Sequence, residues 1–161
     1  MLILALDIAT VTGFALGKAG ESPVSGSVRL KATDVDPDRG IARLGRWLGE
    51  QFTISKPDLV VIEAPLPPNG PLSNPSTITF LHQAAGGAKG VCGLYGLRCA
   101  SVNVQTVRRH FIGKGRPPNP KAEVLARCKQ LGWIDNASKD HDRADALALW
   151  DYAQTHFGRA A

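Results

Sequence analysis

The chain opens on a run of apolar positions, Leu2-Ile3-Leu4-Ala5-Leu6, interrupted by Asp7 before Ile8. A short continuous run of strand formers of this kind predicts a buried β-strand, here one that ends on a charge. Thr10 to Thr12 and Gly13 predict a turn, and Gly13 to Gly17 returns as the second strand of a hairpin. Val24 to Leu30 alternates Ser25, Ser27 and Arg29 against Val28 and Leu30, the period of a third strand. Asp34 to Asp38 is a polar turn in which Asp36 or Asp38 can cap the next element. From Ile41 onward, Leu44, Trp47, Leu48 and Phe52 recur at helical spacing and predict an amphipathic helix.

The second half repeats the theme. Leu59-Val60-Val61-Ile62-Glu63 is another buried-type strand that closes on a carboxylate. Five prolines between 65 and 75 exclude a helix or a central strand and predict a stiff exposed loop. Ser76 or Thr77 can cap a helix running through Phe80 and Leu81 to about Tyr95, and its Ala84, Ala85, Gly86, Gly87 and Ala88 permit close approach to another element. Arg98 to Val104 predicts a fifth strand, Gln105 to Phe111 a helix, 113–118 a basic loop, Lys121 to Leu131 a helix and His141 to Phe157 a last helix. Three early strands followed by alternating helix and strand indicate an α/β domain built on a mixed sheet.

Composition agrees with one globular domain over residues 1–161: 43% of positions are hydrophobic and 20% charged, with no repeat and no linker. No apolar run approaches the roughly 20 residues that cross a bilayer. The apolar opening lacks a preceding basic segment and contains Asp7, so no secretory signal is expected and the reading is a cytoplasmic protein. Cys92, Cys99 and Cys128 form no C-x-x-C pair and have no zinc spacing with His82, His110, His141 or His156, so they read as reduced, mostly buried thiols.

Charge changes the picture. The formal net charge of +5 is concentrated in 104–130, where Arg108, Arg109, Lys114, Arg116, Lys121, Arg127 and Lys129 face Glu123 alone. A basic segment of this kind fits a polyanion, because neutralised phosphates release counterions. The acids carry the chemistry. Asp7 and Glu63 each end a buried strand, and an ionised group there needs water, a partner or a metal. Asp142 and Asp145 stand three apart near the start of the last helix, on one face; Asp142 alone would also suit a helix cap. Four carboxylates gathered together repel unless a divalent cation lies between them, and oxygen ligands favour Mg²⁺ or Mn²⁺ over zinc.

Asp7 in an apolar first strand, the Val61-Ile62-Glu63 strand end and the stretch Asp142-Arg143-Ala144-Asp145-Ala146-Leu147-Ala148 together resemble RuvC, the Holliday junction resolvases of the RNase H-like superfamily. The resemblance spans nearly the whole chain in the same order. It takes in Leu81-His82-Gln83-Ala84 after the glutamate and the segment Gly113-Lys114-Gly115-Arg116 with Lys121. It implies an RNase H-like α/β fold, a five-stranded mixed sheet flanked by helices. It also implies an Mg²⁺-dependent crossover junction endodeoxyribonuclease, with Mn²⁺ able to substitute. The family's acidic tetrad falls on Asp7, Glu63, Asp142 and Asp145, which would serve as both catalytic and metal-binding residues. Lys121 would contact the phosphate in the transition state, and Arg108, Arg109, Lys114, Arg116 and Lys121 would bind DNA. Two metal ions about 4 Å apart would activate the attacking water and stabilise the leaving oxygen, leaving a 5′-phosphate and a 3′-hydroxyl.

Opposed cuts across a four-way junction imply a homodimer, with the small-residue helix around Phe80 to Gly93 as its candidate interface, and branch-migration machinery as a further partner. His141, beside the tetrad, could position water or simply start the helix. The chain departs from the family at Leu66, where an aromatic wedge is expected; a stiff apolar loop could still wedge between bases. Three other readings differ in class or substrate. One is a broader debranching nuclease acting on flaps, forks and three-way junctions. Another is a non-catalytic nucleic-acid- or protein-binding module on the same fold. The third starts from Leu6-Asp7-Ile8-Ala9-Thr10, which resembles the phosphate loop of sugar-kinase and actin-like ATPases, but those need two such domains and 161 residues leave no room.

Overall fold

The computed structural model describes residues 1–30, 36–67 and 74–158. Its described elements are β1 (Leu2–Asp7), β2 (Val11–Lys18), β3 (Val24–Arg29), α1 (Pro37–Ser55), β4 (Leu59–Glu63), α2 (Pro75–Leu94), β5 (Arg98–Val102), α3 (Val104–Ile112), α4 (Pro120–Gln130) and α5 (His141–Phe157). The five strands form one sheet in the order β3-β2-β1-β4-β5. β1 and β2 pair antiparallel, as do β2 and β3, whereas β1, β4 and β5 run parallel. This is the mixed α/β sheet expected from the sequence. Among the described residues no helix is long and apolar enough to cross a membrane.

Period-2 alternation divides the buried side chains between two layers. Leu4 and Leu6 of β1 with Val60 and Ile62 of β4 face α1 and α2, where Leu44, Leu48, Phe80 and Ala84 meet them. Ile3, Ala5, Leu59 and Val61 point the other way, toward Val107 of α3, Val124 of α4 and Leu147 of α5. Ala144 to Trp150 are all buried, because α5 lies between the sheet and the outer helices α3 and α4. The indole Nε1–H of Trp150 donates to the Gly17 carbonyl at 3.3 Å, pinning the middle of α5 to β2.

Several boundaries differ from the sequence reading, each for a capping reason. Asn74, not Ser76 or Thr77, caps α2: its side-chain oxygen accepts from the Ser76 N–H at 3.0 Å, with Pro75 preset for the first helical position. Asn103 caps α3 through the Gln105 N–H at 2.8 Å, so β5 stops at Val102 instead of Val104. Asp140, not Asp142, caps α5 by accepting from the Arg143 N–H at 3.0 Å, which leaves Asp142 free of that duty. Asp36 caps α1, while Asp34 lies outside the described residues. β2 begins at Val11, so the turn is shorter than expected and Gly13 sits inside the strand that it was expected to open. The small residues Ala84, Ala85 and Ala88 are buried within the chain, and Gly45 and Gly49 of α1 approach Val91 of α2 and Tyr95 just beyond its end. Those alanines therefore serve the contact inside the chain and are not free for a partner.

Gly13 is the tightest of these approaches. A Cβ there would overlap the main-chain oxygen of Asp142, so β2 and the start of α5 touch backbone to backbone. Gly13→Ala should cost about 2–3 kcal/mol because neither backbone can yield. Gly86→Ala on α2 meets open space and should stabilise by about 0.5–1 kcal/mol. Chemical denaturation of the two variants checks both, and equal stability of Gly13→Ala and wild type would remove this contact from the account.

Candidate active site

Strand alternation determines where the first two acids go. Asp7 shares its face with Ile3 and Ala5, and Glu63 shares its face with Leu59 and Val61, so both project toward the layer that holds α5. Leu6 and Ile62 are the last paired residues of β1 and β4, and each acid follows one position later on adjacent parallel strand ends. The other pair arrives on α5. Asp7 is paired with Gly13 across the hairpin, and the Asp142 carbonyl rests on Gly13, so the first turn of α5 is set beside the end of β1. Arg143 fastens that turn: its Nε donates to the Ser25 hydroxyl at 2.8 Å and its Nη2 to the Trp133 carbonyl at 3.1 Å. The Ser27 hydroxyl donates to the capping Asp140 at 2.9 Å.

The result is a cleft of about 170 Å³ lined by Asp7, Glu63, Asp142 and Asp145, with Lys121, Arg108, Ile8, Leu66 and Leu81 on its walls. The structure thus brings the four sequence-predicted acids and Lys121 to one place. A larger groove of about 570 Å³ between α1 and α2 has no acid but Glu50 and is remote from this chemistry. The acids share the cleft without closing on one point: among the described residues, no three His, Cys, Asp or Glu side chains stand ready to hold an ion together.

Burial and like charge dominate the electrostatics. Asp7 is pushed up from 3.8 to about 7, first by burial and then by Asp145 and Asp142, against the opposing pull of Lys121 and Arg108. Glu63 is pushed up from 4.5 to about 8 by burial and then by Asp7 and Asp145. Burial also raises Asp145, only 8% exposed, although Lys121 and Arg108 work in the opposite direction. Lys121 Nζ stands 3.9 Å from Asp142 Oδ1, a long contact between partly exposed groups.

The remaining candidates separate into two groups. Arg108, read from sequence as one of several DNA-binding residues, lines the acid cleft, and its Nε–H is buried with no acceptor among the described residues. The signal was present in the sequence, since Arg108 lies four residues from both Val104 and Ile112, on the flank of the buried stripe formed by Val107 and Phe111. Arg109, Lys114 and Arg116 stay outside. Arg109 is exposed, and Lys114 pairs with Glu123 at 3.6 Å. Arg116 donates at 3.1 Å to the Gln105 side-chain oxygen when that amide is oriented to accept. His141 does not line the cleft; its Nδ1–H donates to the Lys121 carbonyl at 3.2 Å, tying the start of α5 to the start of α4. Leu66 is half exposed at the cleft edge, and its carbonyl accepts from His82 Nε2 at 2.9 Å.

No protein-family model matches the sequence, and no curated protein matches it. Solved structures do match. The RuvC structure from Thermus thermophilus superposes with a TM-score of 0.70 at 19% identity, covering 98% of this chain and 93% of the other. The T. thermophilus RuvC complex with Holliday junction substrate gives 0.73 at 15% identity with the same coverage. The yeast mitochondrial Holliday junction resolvase Ydc2 gives 0.63 at 10% identity, covering 96% of this chain and 80% of that one. At these identities the likeness is one of fold, and over nearly its whole length this chain has the fold of RuvC.

Proposed function

We propose that this chain is a metal-dependent, structure-selective endodeoxyribonuclease that resolves Holliday junctions by paired phosphodiester hydrolysis. The observation that carries the reading is the cleft itself. Three separate elements deliver four carboxylates to it beside two cations, on a fold shared with a resolvase solved on its junction. A module that only binds nucleic acid gains nothing from buried acids next to a phosphate, because they repel it.

The acids suit a hard divalent cation. All four supply oxygen, the ligand that Mg²⁺ and Mn²⁺ prefer, and an added cation would relieve the like-charge repulsion that adds to burial in raising Asp7 and Glu63. Asp7, Glu63, Asp142 and Asp145 would hold it. Once bound, a divalent ion of this type activates water as a nucleophile and offsets charge on a phosphate. The protein does the rest. The Lys121 ammonium and the Arg108 guanidinium sit on the cleft wall, where they would face the phosphoryl oxygens as negative charge builds there. The buried Nε–H of Arg108, which has no acceptor among the described residues, would gain one in a bound phosphate. His141 fixes the main chain of Lys121 through its Nδ1–H. Arg109, Lys114 and Arg116, exposed on the α3–α4 side, would hold a duplex arm by its phosphates, giving affinity that falls with salt.

Two opposed cuts call for a two-fold homodimer. With the alanines of α2 already covered by this chain, its outward positions Gly86, Gly90 and Gly93 are the ones left for a second copy. Light scattering at micromolar concentration should give the dimer mass, and a monomer would count against paired cutting. A second reading, a debranching nuclease of broader range, is favoured by one observation. The cleft edge carries Leu66 where a flat ring would stack on a base, so selection for a four-way centre has a weaker physical basis.

Cleavage of four-way, three-way, flap and linear DNA, with and without Mg²⁺, tests the function and separates the two readings. Asp7→Asn or Asp145→Asn should lower cleavage by about 10²–10³-fold or more while junction binding is kept or tightened. Normal cutting by Asp145→Asn would refute the site. Stability offers a readout independent of cleavage. Asp7 and Glu63 hold their protons to higher pH when folded than when unfolded, so between about pH 4 and pH 8 the folded state binds more protons. Their contribution to stability is therefore full at the acidic end and declines as pH rises. In chelator the melting temperature should fall from pH 5 to pH 8, and Glu63→Gln should flatten that fall. Mg²⁺ should restore wild type at pH 8 and help Glu63→Gln less.

A further inference from the structure

Cys92 and Cys99 take no part in the proposed chemistry, yet the fold places them together. Cys92 lies in the last turn of α2 and is fully buried; Cys99 is the second residue of β5 and is half buried. Between them the chain makes a tight reversal. The Leu97 N–H donates to the Cys92 carbonyl at 2.9 Å, and Gly96 takes the left-handed conformation, φ 66°, that a side chain would strain. β5 then runs back beside β4, with Cys99 paired to Val60. Both cysteines belong to the apolar layer under α1 and α2, at the two ends of this reversal, and each thiol perturbs the other. The third cysteine, Cys128, lies in the opposite layer, where its thiol meets the Ala144 carbonyl at 3.7 Å.

We propose that Cys92 and Cys99 form a redox-responsive pair that closes to an intramolecular disulfide, clipping the end of α2 to β5. The two thiols are not equivalent. Cys99 is the one solvent reaches, and the hydrogen bond from Cys92, with Lys89 nearby, lowers its pKa and favours its thiolate. Cys92, buried and donating that bond, is held as the neutral thiol. With hydrogen peroxide as oxidant, the Cys99 thiolate attacks one peroxide oxygen; the S–O bond of a sulfenic acid forms as the O–O bond breaks and hydroxide leaves. The Cys92 sulfur then attacks the Cys99 sulfur, the S–S bond forms, and the sulfenic oxygen leaves as water with the Cys92 proton. Two electrons pass from the thiol pair to one peroxide, and a dithiol reductant reverses the change.

The sequence supplies a direct test, because Arg98 separates the two cysteines and Lys89 precedes them. The folded wild-type protein is treated with hydrogen peroxide, quenched with an alkylating agent, unfolded and digested with trypsin. The expected product is the 90–98 peptide joined to the 99–108 peptide, lighter by two hydrogens than their sum. Titratable thiols should fall from three to one and return to three with dithiothreitol. Cys92→Ser should block the link and leave Cys99 as sulfenic acid, trapped by dimedone; Cys99→Ser should leave both remaining thiols unreacted. Three unchanged thiols in wild type, a link through Cys128, or a link only between molecules would overturn the proposal. None of these outcomes depends on nuclease activity.

Discussion

The main-chain contact between Gly13 and Asp142 is the constraint on which the site rests. Strand pairing alone sets Asp7 beside Glu63, since β1 and β4 are parallel neighbours in register. Nothing in the sheet brings Asp142 and Asp145 to them. That takes a helix lying flat on β2, and a helix axis comes that close to a strand only where no side chain intervenes. Arg143, held by Ser25 and Trp133, and Asp140, held by Ser27, then fix the rotation of α5 so that its acidic face meets the strand ends. Residues outside the cleft thus carry the geometry of those that line it.

Holding these acids together works against folding. Burial and mutual repulsion raise Asp7, Glu63 and Asp145, and the nearby Lys121 and Arg108 offset this only in part. The apolar layers on both faces of the sheet, with Trp150, Leu147 and Leu149 of α5 fully buried, supply the stability that permits such a cluster. A protein that keeps an unfavourable cluster inside a favourable core has placed the cost where a ligand can recover it.

Much of this was legible in the sequence, and the physical reasons differ by element. Strands β1 and β4 announce themselves because both faces are buried and apolar residues follow one another without alternation. The four acids could be picked out because a charge at the end of such a strand, or amid Ala-Leu-Ala-Leu, stands against its surroundings. Helix starts were less legible. Asn74 and Asp140 cap two or three residues ahead of the positions that propensity suggested, and Asn103 caps a helix for which no cap was expected. Arg108 was counted with its basic neighbours because a charge sum has no direction; only helical phase turns it into the cleft while Arg109 faces water. Gly13 read as the junction of a turn and a strand, and its contact with Asp142 was not legible, since a close approach across more than a hundred residues leaves no local trace. The alanines of α2 likewise looked available to a second chain until α1 was seen to occupy them.

The acids come from opposite extremes of the chain, Asp7 from its first strand and Asp145 from its last helix. Synthesis proceeds from the amino end, so a ribosome releases β1, β2 and β4 long before α5 exists to cover them. Through that interval Asp7 and Glu63 stay hydrated and ionised, and no cleft can form. Asp142 and Asp145 therefore join Asp7 and Glu63 only once α5 has been made, and without that helix the four-acid cleft does not exist.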